Sequence, residues 1–260
     1  MSRKHTRRWK VIGLSAFLAL SGLVAMPLPV AAQGAACAAL PGRSPMPREA
    51  KPEYLEEAHW RARVAELGRL TAADYARAQI VFLGDSITHA WFPAIWEQFY
   101  GHRAALNLGV TGDFTQGMLW RLQAGGQWPA GLRPKLAVLL IGTNNSLAAQ
   151  QPENTALGVA EVVRVIRQKS PGTRVLIVGL LPRGPDATDP ARRANQRVNE
   201  MIARCADNQS VFFTDPGSML VDGQGRLSDQ VAFDRLHLTY VGYAILSAGL
   251  EPSIRYLLAR

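Results

Sequence analysis

Five short apolar runs, each ended by a turn residue, constrain the fold of this chain more than any other feature of its sequence. Segments with helical spacing separate these runs. Buried strands that alternate with amphipathic helices are typical of a parallel sheet covered by helices on both faces. The sequence therefore predicts an α/β fold with a five-stranded parallel sheet. The predicted strands are 80–83, 104–108, 136–141, 175–180 and 211–214, and the predicted helices are 52–70, 115–122, 152–169 and 190–206.

The N-terminus has the order of an export signal. Five Lys or Arg residues and no acid occupy the first ten positions, and an apolar run to about Val30 leads into small residues. We predict a signal peptide over 1–32, cut after Ala32, and a periplasmic or extracellular mature protein with no stable membrane span. A retained membrane anchor is the alternative. The pair Arg7-Arg8 leaves the twin-arginine and general secretory routes both open.

Most of the positive charge belongs to that signal. Cleavage would remove the five N-terminal cations and lower the formal net charge from +9 to +4. The remaining Lys and Arg residues are scattered, whereas a nucleic-acid surface needs basic clusters. We therefore expect no nucleic-acid partner.

The region after the signal divides into a leader and one domain. Residues 33–51 are rich in Pro, Gly, Ala and Ser without an apolar period, which indicates a flexible leader. One domain over 52–260 is the simplest organisation for a chain of this length. Cys37 and Cys205 are the only cysteines. For an exported protein, one disulfide between them and two free thiols are equal alternatives.

A serine stands at the first strand-to-helix turn. Gly84-Asp85-Ser86 directly follows the strand predicted at 80–83. This position exposes the Ser86 hydroxyl at the carboxyl edge of the sheet, where functional groups gather, and a helix start favours negative charge nearby. Ser86 is therefore a candidate nucleophile. The structural alternative is that Asp85 or Ser86 only caps the helix.

A serine nucleophile needs a base and a group that orients the base. Of the four histidines after the signal, only His237 has a carboxylate at suitable spacing, three residues earlier at Asp234. One helical turn or a tight loop would bring these two side chains together. The sequence predicts a triad of Ser86, His237 and Asp234. A capping aspartate beside a surface histidine is the alternative.

Ester hydrolysis also needs donors for the oxyanion of the tetrahedral intermediate. The turn after the second predicted strand contains Gly112, whose backbone N–H can approach a substrate closely. The turn after the third strand contains Asn144, which has a side-chain amide. We expect both donors to lie near Ser86.

Signatures of other chemistries are missing from the sequence. It contains no His-Glu-x-x-His, Cys-x-x-Cys or Gly-x-x-x-x-Gly-Lys motif, so we expect no metal and no other cofactor. The Gly-x-Ser-x-Gly elbow of the α/β-hydrolases is missing as well.

Taken together, these segments resemble the SGNH or GDSL-type hydrolases. Gly84-Asp85-Ser86, Gly112, Gly142-Thr143-Asn144 and Asp234-x-x-His237 match the four sequence blocks of that family in order and spacing. Longer matches at 106–113, 119–122, 179–184 and 233–239 look like the catalytic subunits of platelet-activating-factor acetylhydrolase Ib. The resemblance covers residues 60–258.

This resemblance implies a flavodoxin-like three-layer α/β/α sandwich and metal-free ester hydrolysis. By position, Ser86 would be the nucleophile and His237 the base. The backbone N–H groups of Ser86 and Gly112 would form the oxyanion hole with the Asn144 side chain. Thr143 would border the acyl pocket. The export signal and leader depart from the cytosolic mammalian enzyme, so its lipid substrate does not transfer directly.

The resulting hypothesis is a secreted or periplasmic serine esterase that hydrolyses short-chain, chiefly acetyl, esters of a small molecule or a glycan. An acyltransferase or a lysophospholipase with the same triad is an alternative. A catalytically silent module that binds glycans or lipids is the non-enzymatic alternative. The mammalian relatives form dimers, which makes a homodimer a further hypothesis.

Overall fold

Five strands form one parallel sheet in the computed structural model, which describes Cys37, Leu40 and residues 42–260. All five lie within two residues of their predicted positions, and the predicted α/β class with a parallel sheet is confirmed. The strands are β1 (Ile80–Gly84), β2 (Ala105–Asn107), β3 (Leu136–Leu140), β4 (Arg174–Val178) and β5 (Val211–Thr214). Their order across the sheet is β2-β1-β3-β4-β5.

The central strands are continuous apolar runs because helices cover both of their faces. Every residue of β1 and of β3 is buried. The two strands pair in parallel from Ile80 opposite Leu136 to Gly84 opposite Leu140. A strand buried on one face only would alternate apolar and polar residues instead.

Two helical layers sandwich the sheet. The helices are α1 (Ala58–Leu67), α2 (Ala72–Arg77), α3 (Ser86–His89), α4 (Pro93–Tyr100), α5 (Thr115–Gln123), α6 (Thr143–Leu147), α7 (Pro152–Lys169), α8 (Pro190–Ile202) and α9 (Tyr240–Ala259). In one layer α7 packs against α5 and α8, and in the other α4 packs against α9. Right-handed crossovers in this strand order place the helices on opposite faces in this way, which is the flavodoxin-like arrangement.

The helices differ from the sequence prediction at several points, and α2, α4 and α6 were not predicted. The helix predicted over 52–70 begins only at Ala58, because the chain before it is extended and Glu53 N donates to Gln116 O at 3.0 Å. The C-terminal helix α9 was not predicted. Its apolar residues are not confined to one face, so it lacks the period that marks an amphipathic helix.

The segment before α1 belongs to the domain. Arg48–Ala50 forms a 3₁₀ turn against α7, and Glu49 O accepts a hydrogen bond from Thr115 Oγ1 at 2.8 Å. Cys37, Leu40, Glu49 and Ala50 are buried, so part of the predicted leader packs on the domain. Of the two alternatives for the cysteines, the structure has the Cys37–Cys205 disulfide. The predicted signal peptide over 1–32 lies outside the described residues.

Within the part of the chain that the structure describes, no helix has the length and apolar character needed to cross a bilayer.

Candidate active site

Ser86 is the first residue of α3, directly beyond the carboxyl end of β1. The turn requires glycine at position 84, because a Cβ atom there would overlap the Thr88 hydroxyl. Asp85 caps α3, since its Oδ1 accepts a hydrogen bond from Ile87 N at 3.0 Å. The capping alternative is thus true of Asp85, and the Ser86 hydroxyl remains available for another partner.

That partner is His237, and the predicted contacts of the triad are present. Ser86 Oγ lies 2.9 Å from His237 Nε2, and His237 Nδ1 lies 2.6 Å from Asp234 Oδ2. Asp234 Oδ1 accepts backbone N–H groups from His237 at 2.7 Å and from Leu236 at 3.0 Å. A tight loop, in which Arg235 has a φ of 63°, makes this i, i+3 contact in place of a helical turn.

The carboxylate fixes the imidazole tautomer and keeps its own charge. Because a carboxylate only accepts hydrogen bonds, the His237 proton lies on Nδ1 and leaves Nε2 to accept from the Ser86 hydroxyl. Burial raises the pKa of Asp234, but the hydrogen bonds from His237 and Leu236 outweigh it, and the pKa lies below its ordinary value. The Phe233 ring stacks on the imidazole with 6.0 Å between ring centroids. Asp234 is therefore ionised at neutral pH beside a well-held imidazole.

The strand order places the two predicted oxyanion segments on either side of Ser86. β1 lies between β2 and β3, so the loop with Gly112 and the helix with Asn144 begin at the strands next to it. Among the described residues the Gly112 N–H has no hydrogen-bond acceptor. Asn144 Nδ2 donates one hydrogen to Asp113 O at 2.8 Å, which leaves a second amide hydrogen. The Ser86 N–H begins a helix and has no acceptor within it.

A cleft of about 270 Å³ adjoins two of these donors. Gly112 has a φ of 75°, and a Cβ atom there would lie 2.6 Å from His59 Nε2. The backbone conformation therefore favours glycine, and a side chain at this position would displace His59. His59, which sequence reasoning considered only as a possible base, instead forms a wall of the cleft. The cleft is lined by Glu57, His59, Gly112, Phe114, Asn144, Leu147 and Ala148.

Thr143 is the first residue of α6 and joins this helix to neighbouring segments by hydrogen bonds. Its side chain is buried, and Oγ1 accepts hydrogen bonds from Asn195 Nδ2 at 3.2 Å and from Arg183 Nη1 at 3.3 Å. Thr143 is not among the residues that line the cleft. Its predicted place beside an acyl group stays a prediction.

A buried ion pair that sequence reasoning missed holds the Gly112 loop. Asp113 and Arg121 have completely buried side chains, and Arg121 Nη2 lies 2.7 Å from Asp113 Oδ2. Trp60 Nε1 donates to Asp113 Oδ1 at 2.9 Å, and Arg121 Nη1 donates to Leu108 O at 3.0 Å. An arginine on the apolar face of the helix predicted at 115–122 was the available signal, because a buried cation needs a partner.

No group of three or more His, Cys, Asp or Glu side chains in the described ranges is arranged to hold a metal ion.

Comparison with known proteins identifies relatives of this chain. A family model described as "GDSL-like Lipase/Acylhydrolase family" matches residues 82–245. The chain is 35% identical over 184 residues to platelet-activating factor acetylhydrolase IB subunit alpha1 of Pongo abelii, covering 70% of this chain and 78% of that protein. It is 34% identical over 183 residues to the alpha2 subunit of Homo sapiens, covering 69% and 77%. A solved GDSL-like lipase from Bacteroides thetaiotaomicron matches with a TM-score of 0.59 and 22% identity, covering 77% and 99%. At that identity the structural likeness concerns the fold alone.

We predict that ionisation of Asp85 makes the protein less stable as the pH rises. Asp85 is 1% exposed, and burial raises its pKa from 3.8 to about 7. Its contribution to stability is therefore complete below pH 3.8 and is lost as the pH rises through about 7. The loss is on the order of 4 kcal/mol. Asp85→Asn keeps an acceptor for Ile87 N and cannot ionise, so its stability should depend less on pH.

Urea unfolding of both proteins between about pH 4 and 8 measures this difference. Asp229→Asn, at an exposed position, is the matched control and should follow the wild type. Equal pH dependence in the wild type and Asp85→Asn would contradict the prediction.

Proposed function

We propose that this chain, which belongs to the GDSL-like lipase/acylhydrolase family and is a carboxylic ester hydrolase, works as an exported serine esterase on short-chain, chiefly acetyl, esters. Ser86 is the nucleophile, His237 the base and Asp234 the group that orients the base. The observation that carries this proposal is the continuous hydrogen-bonded chain of 2.9 Å and 2.6 Å through the imidazole.

In the first half of the reaction Ser86 Oγ attacks the ester carbonyl. His237 Nε2 takes the hydroxyl proton as the bond forms, and it returns that proton to the leaving alcohol. The negative charge of Asp234, whose pKa lies below its ordinary value, stabilises the imidazolium that exists between these steps. Water then repeats the sequence on the acyl-enzyme and releases the acid.

The oxyanion forms beside donors that are already in place. Gly112 and Asn144 line the same cleft, Asn144 has an amide hydrogen left over, and the Ser86 N–H stands at a helix start. Donors that need no reorganisation stabilise the developing charge strongly because the free energy of orienting them is spent in folding.

Two further observations bear on the reaction and its substrate. The His237 and Asp234 side chains are 33% and 42% exposed, so water reaches the base, which favours hydrolysis over transfer to another alcohol. The relatives at 34–35% identity are named acetylhydrolases, which supports an acetyl group as the acyl part. The alcohol part is a small molecule or a glycan.

Two observations on the chain support export. The cationic and apolar N-terminal pattern is that of a signal peptide. The Cys37–Cys205 disulfide is the kind of bond that persists in oxidising compartments outside the cytosol.

We expect Ser86→Ala to lower kcat for p-nitrophenyl acetate by a factor on the order of 10⁶, because the nucleophile is lost. Asn144→Ala should lower kcat by about 10² to 10³ through loss of one oxyanion donor, with the fold retained. Asn154→Ala is the matched control, since the Asn154 side chain accepts only an exposed contact from Arg43. Wild-type activity in Ser86→Ala would refute the assignment, and fluorophosphonate labelling of the wild type but not of Ser86→Ala would support it.

The acyl part is tested with p-nitrophenyl acetate, butyrate and octanoate, followed by acetylated glycans. A site fitted to a methyl group discriminates against longer chains by roughly tenfold or more, because each added methylene must find space. We expect kcat/KM to be highest for acetate. A maximum at octanoate would contradict acetyl specificity while leaving ester hydrolysis intact.

Export is tested by expressing the full chain in a bacterial host and fractionating the cells. We expect the protein in the periplasm or medium, with Gln33 as its first residue by N-terminal sequencing. Replacement of the five N-terminal cations by Gln should keep it in the cytosol, since the signal needs a positive start. A full-length wild-type protein that stays in the cytosol would end the export proposal.

A further inference from the structure

The acid and the base stand on a loop with little regular structure of its own. Residues 221–239, which we name the triad loop, form neither helix nor strand, and their one ladder contact is an isolated bridge between Ala232 and Leu238. A reacting pair must be held within a fraction of an ångström of its working geometry. The triad loop therefore has to be held in place from outside.

Backbone hydrogen bonds fasten the triad loop to the connection between β4 and α8, residues 179–189. Gly184 N donates to Arg235 O at 2.8 Å, and Leu227 N donates to Pro185 O at 2.9 Å. Within the triad loop the Arg235 guanidinium donates to Leu227 O. Because Arg235 directly follows Asp234, this hydrogen bond couples the position of the acid to that of Gly184.

The same connection contacts the other half of the active site. Arg183 Nη1 donates to Thr143 O at 3.2 Å and to Thr143 Oγ1 at 3.3 Å. Thr143 begins α6 and directly precedes Asn144, the side-chain oxyanion donor. One short segment, residues 183–185, thus contacts the oxyanion side through the Arg183 side chain and the acid-base side through its backbone.

Arg192 of α8 holds this segment with its whole guanidinium. Its side chain lies under the connection, and the residue is 3% exposed. Nε donates to Arg183 O at 2.6 Å, and Nη2 donates to Gly184 O at 2.9 Å. Nη1 reaches across to Gly225 O of the triad loop at 2.6 Å. A single rigid fork therefore joins the connection to the triad loop.

A buried cation whose guanidinium bonds go to backbone carbonyls is costly. Among the described residues no carboxylate pairs with Arg192 directly, although Asp186 and Asp189 attract its charge from a distance. An apolar side chain of similar volume would stabilise α8 packing at least as well. Unlike an apolar residue, the planar guanidinium donates hydrogen bonds in fixed directions, and here it donates to three carbonyls. This is the property expected of a residue retained for geometry.

We propose that Arg192 is a positioning residue, which sets the distance between the Asp234–His237 pair and the oxyanion donors by fixing residues 183–185. The inference rests on the proposed function of the triad and extends it to a residue that does not touch the ester. Arg192 acts through Gly184 and Arg235 on the acid, and through Arg183 on α6.

Arg192→Lys tests the fork while keeping the charge. A lysine cannot serve three carbonyls in fixed directions, so kcat for p-nitrophenyl acetate should fall by about 10- to 100-fold, the cost of misplacing reacting groups by about an ångström. KM should stay unchanged, because Arg192 is not among the residues that line the cleft. The low-field proton NMR signal of the bond between His237 Nδ1 and Asp234 should shift in the variant.

Arg193→Lys is the matched control. Arg193 is the next residue of α8, is exposed, and donates to Thr188 O of the same connection at 2.6 Å. It should keep wild-type kcat and the wild-type NMR signal. All values of kcat are expressed per folded molecule, from the unfolding curve of each variant.

Chemical rescue gives a second readout. Arg192 lines a cavity of about 310 Å³, through which a guanidinium ion can reach the space vacated in Arg192→Ala. Millimolar guanidinium chloride should raise the kcat of Arg192→Ala, whereas sodium chloride at equal ionic strength should not. Arg193→Ala should respond to neither salt.

A folded Arg192→Lys enzyme with wild-type kcat and an unchanged NMR signal overturns the proposal. So does a fall in activity that a smaller folded fraction explains completely, since that is a role in stability alone. Failure of the proposed function would look different, because the wild type itself would then be inactive or Ser86→Ala would remain active.

Discussion

The hydrogen bond between Ser86 Oγ and His237 Nε2 joins positions 151 residues apart, and the rest of the site depends on it. It forms because β1 lies inside the sheet, with β2 on one side and β3 on the other. All the strands point the same way, so the segments that follow them meet at one edge. The change of direction in strand order at β1 opens the space into which the triad loop folds.

Several ionisable side chains are buried near this edge of the sheet. Asp85, Asp113 and Arg121 are almost completely buried, and so are Arg183 and Arg192. Each of these groups costs desolvation free energy and holds a backbone segment in return. Asp85 shows the cost most plainly, because burial raises its pKa to about 7. Burying these groups lowers the stability of the fold, and their hydrogen bonds hold loops without regular structure in a fixed geometry.

Local pattern was enough to predict most of the elements. The helix over 152–169 has the predicted bounds, and the five strands are present. α9 was missed because its apolar residues surround it, and the start of α1 was misplaced because a tertiary hydrogen bond to Gln116 keeps the preceding chain extended. The burial of Glu49 and Ala50 within the predicted leader likewise comes from a tertiary contact, with α7.

The sequence by itself predicted the fold class, the serine at a capped turn, and the aspartate and histidine three residues apart, because these depend on neighbours along the chain. The nearness of Gly112 and Asn144 to Ser86 was expected from the sequence, whereas only the tertiary structure decided that the cysteines are bonded and which side chains hold the site together. Arg192 looks like an ordinary helical arginine in the sequence, and Arg121 differs only in its place on the apolar face of a predicted helix. Their roles come from the carboxylate and the carbonyls that face them across the fold, and contacts between distant segments leave no local periodicity to read.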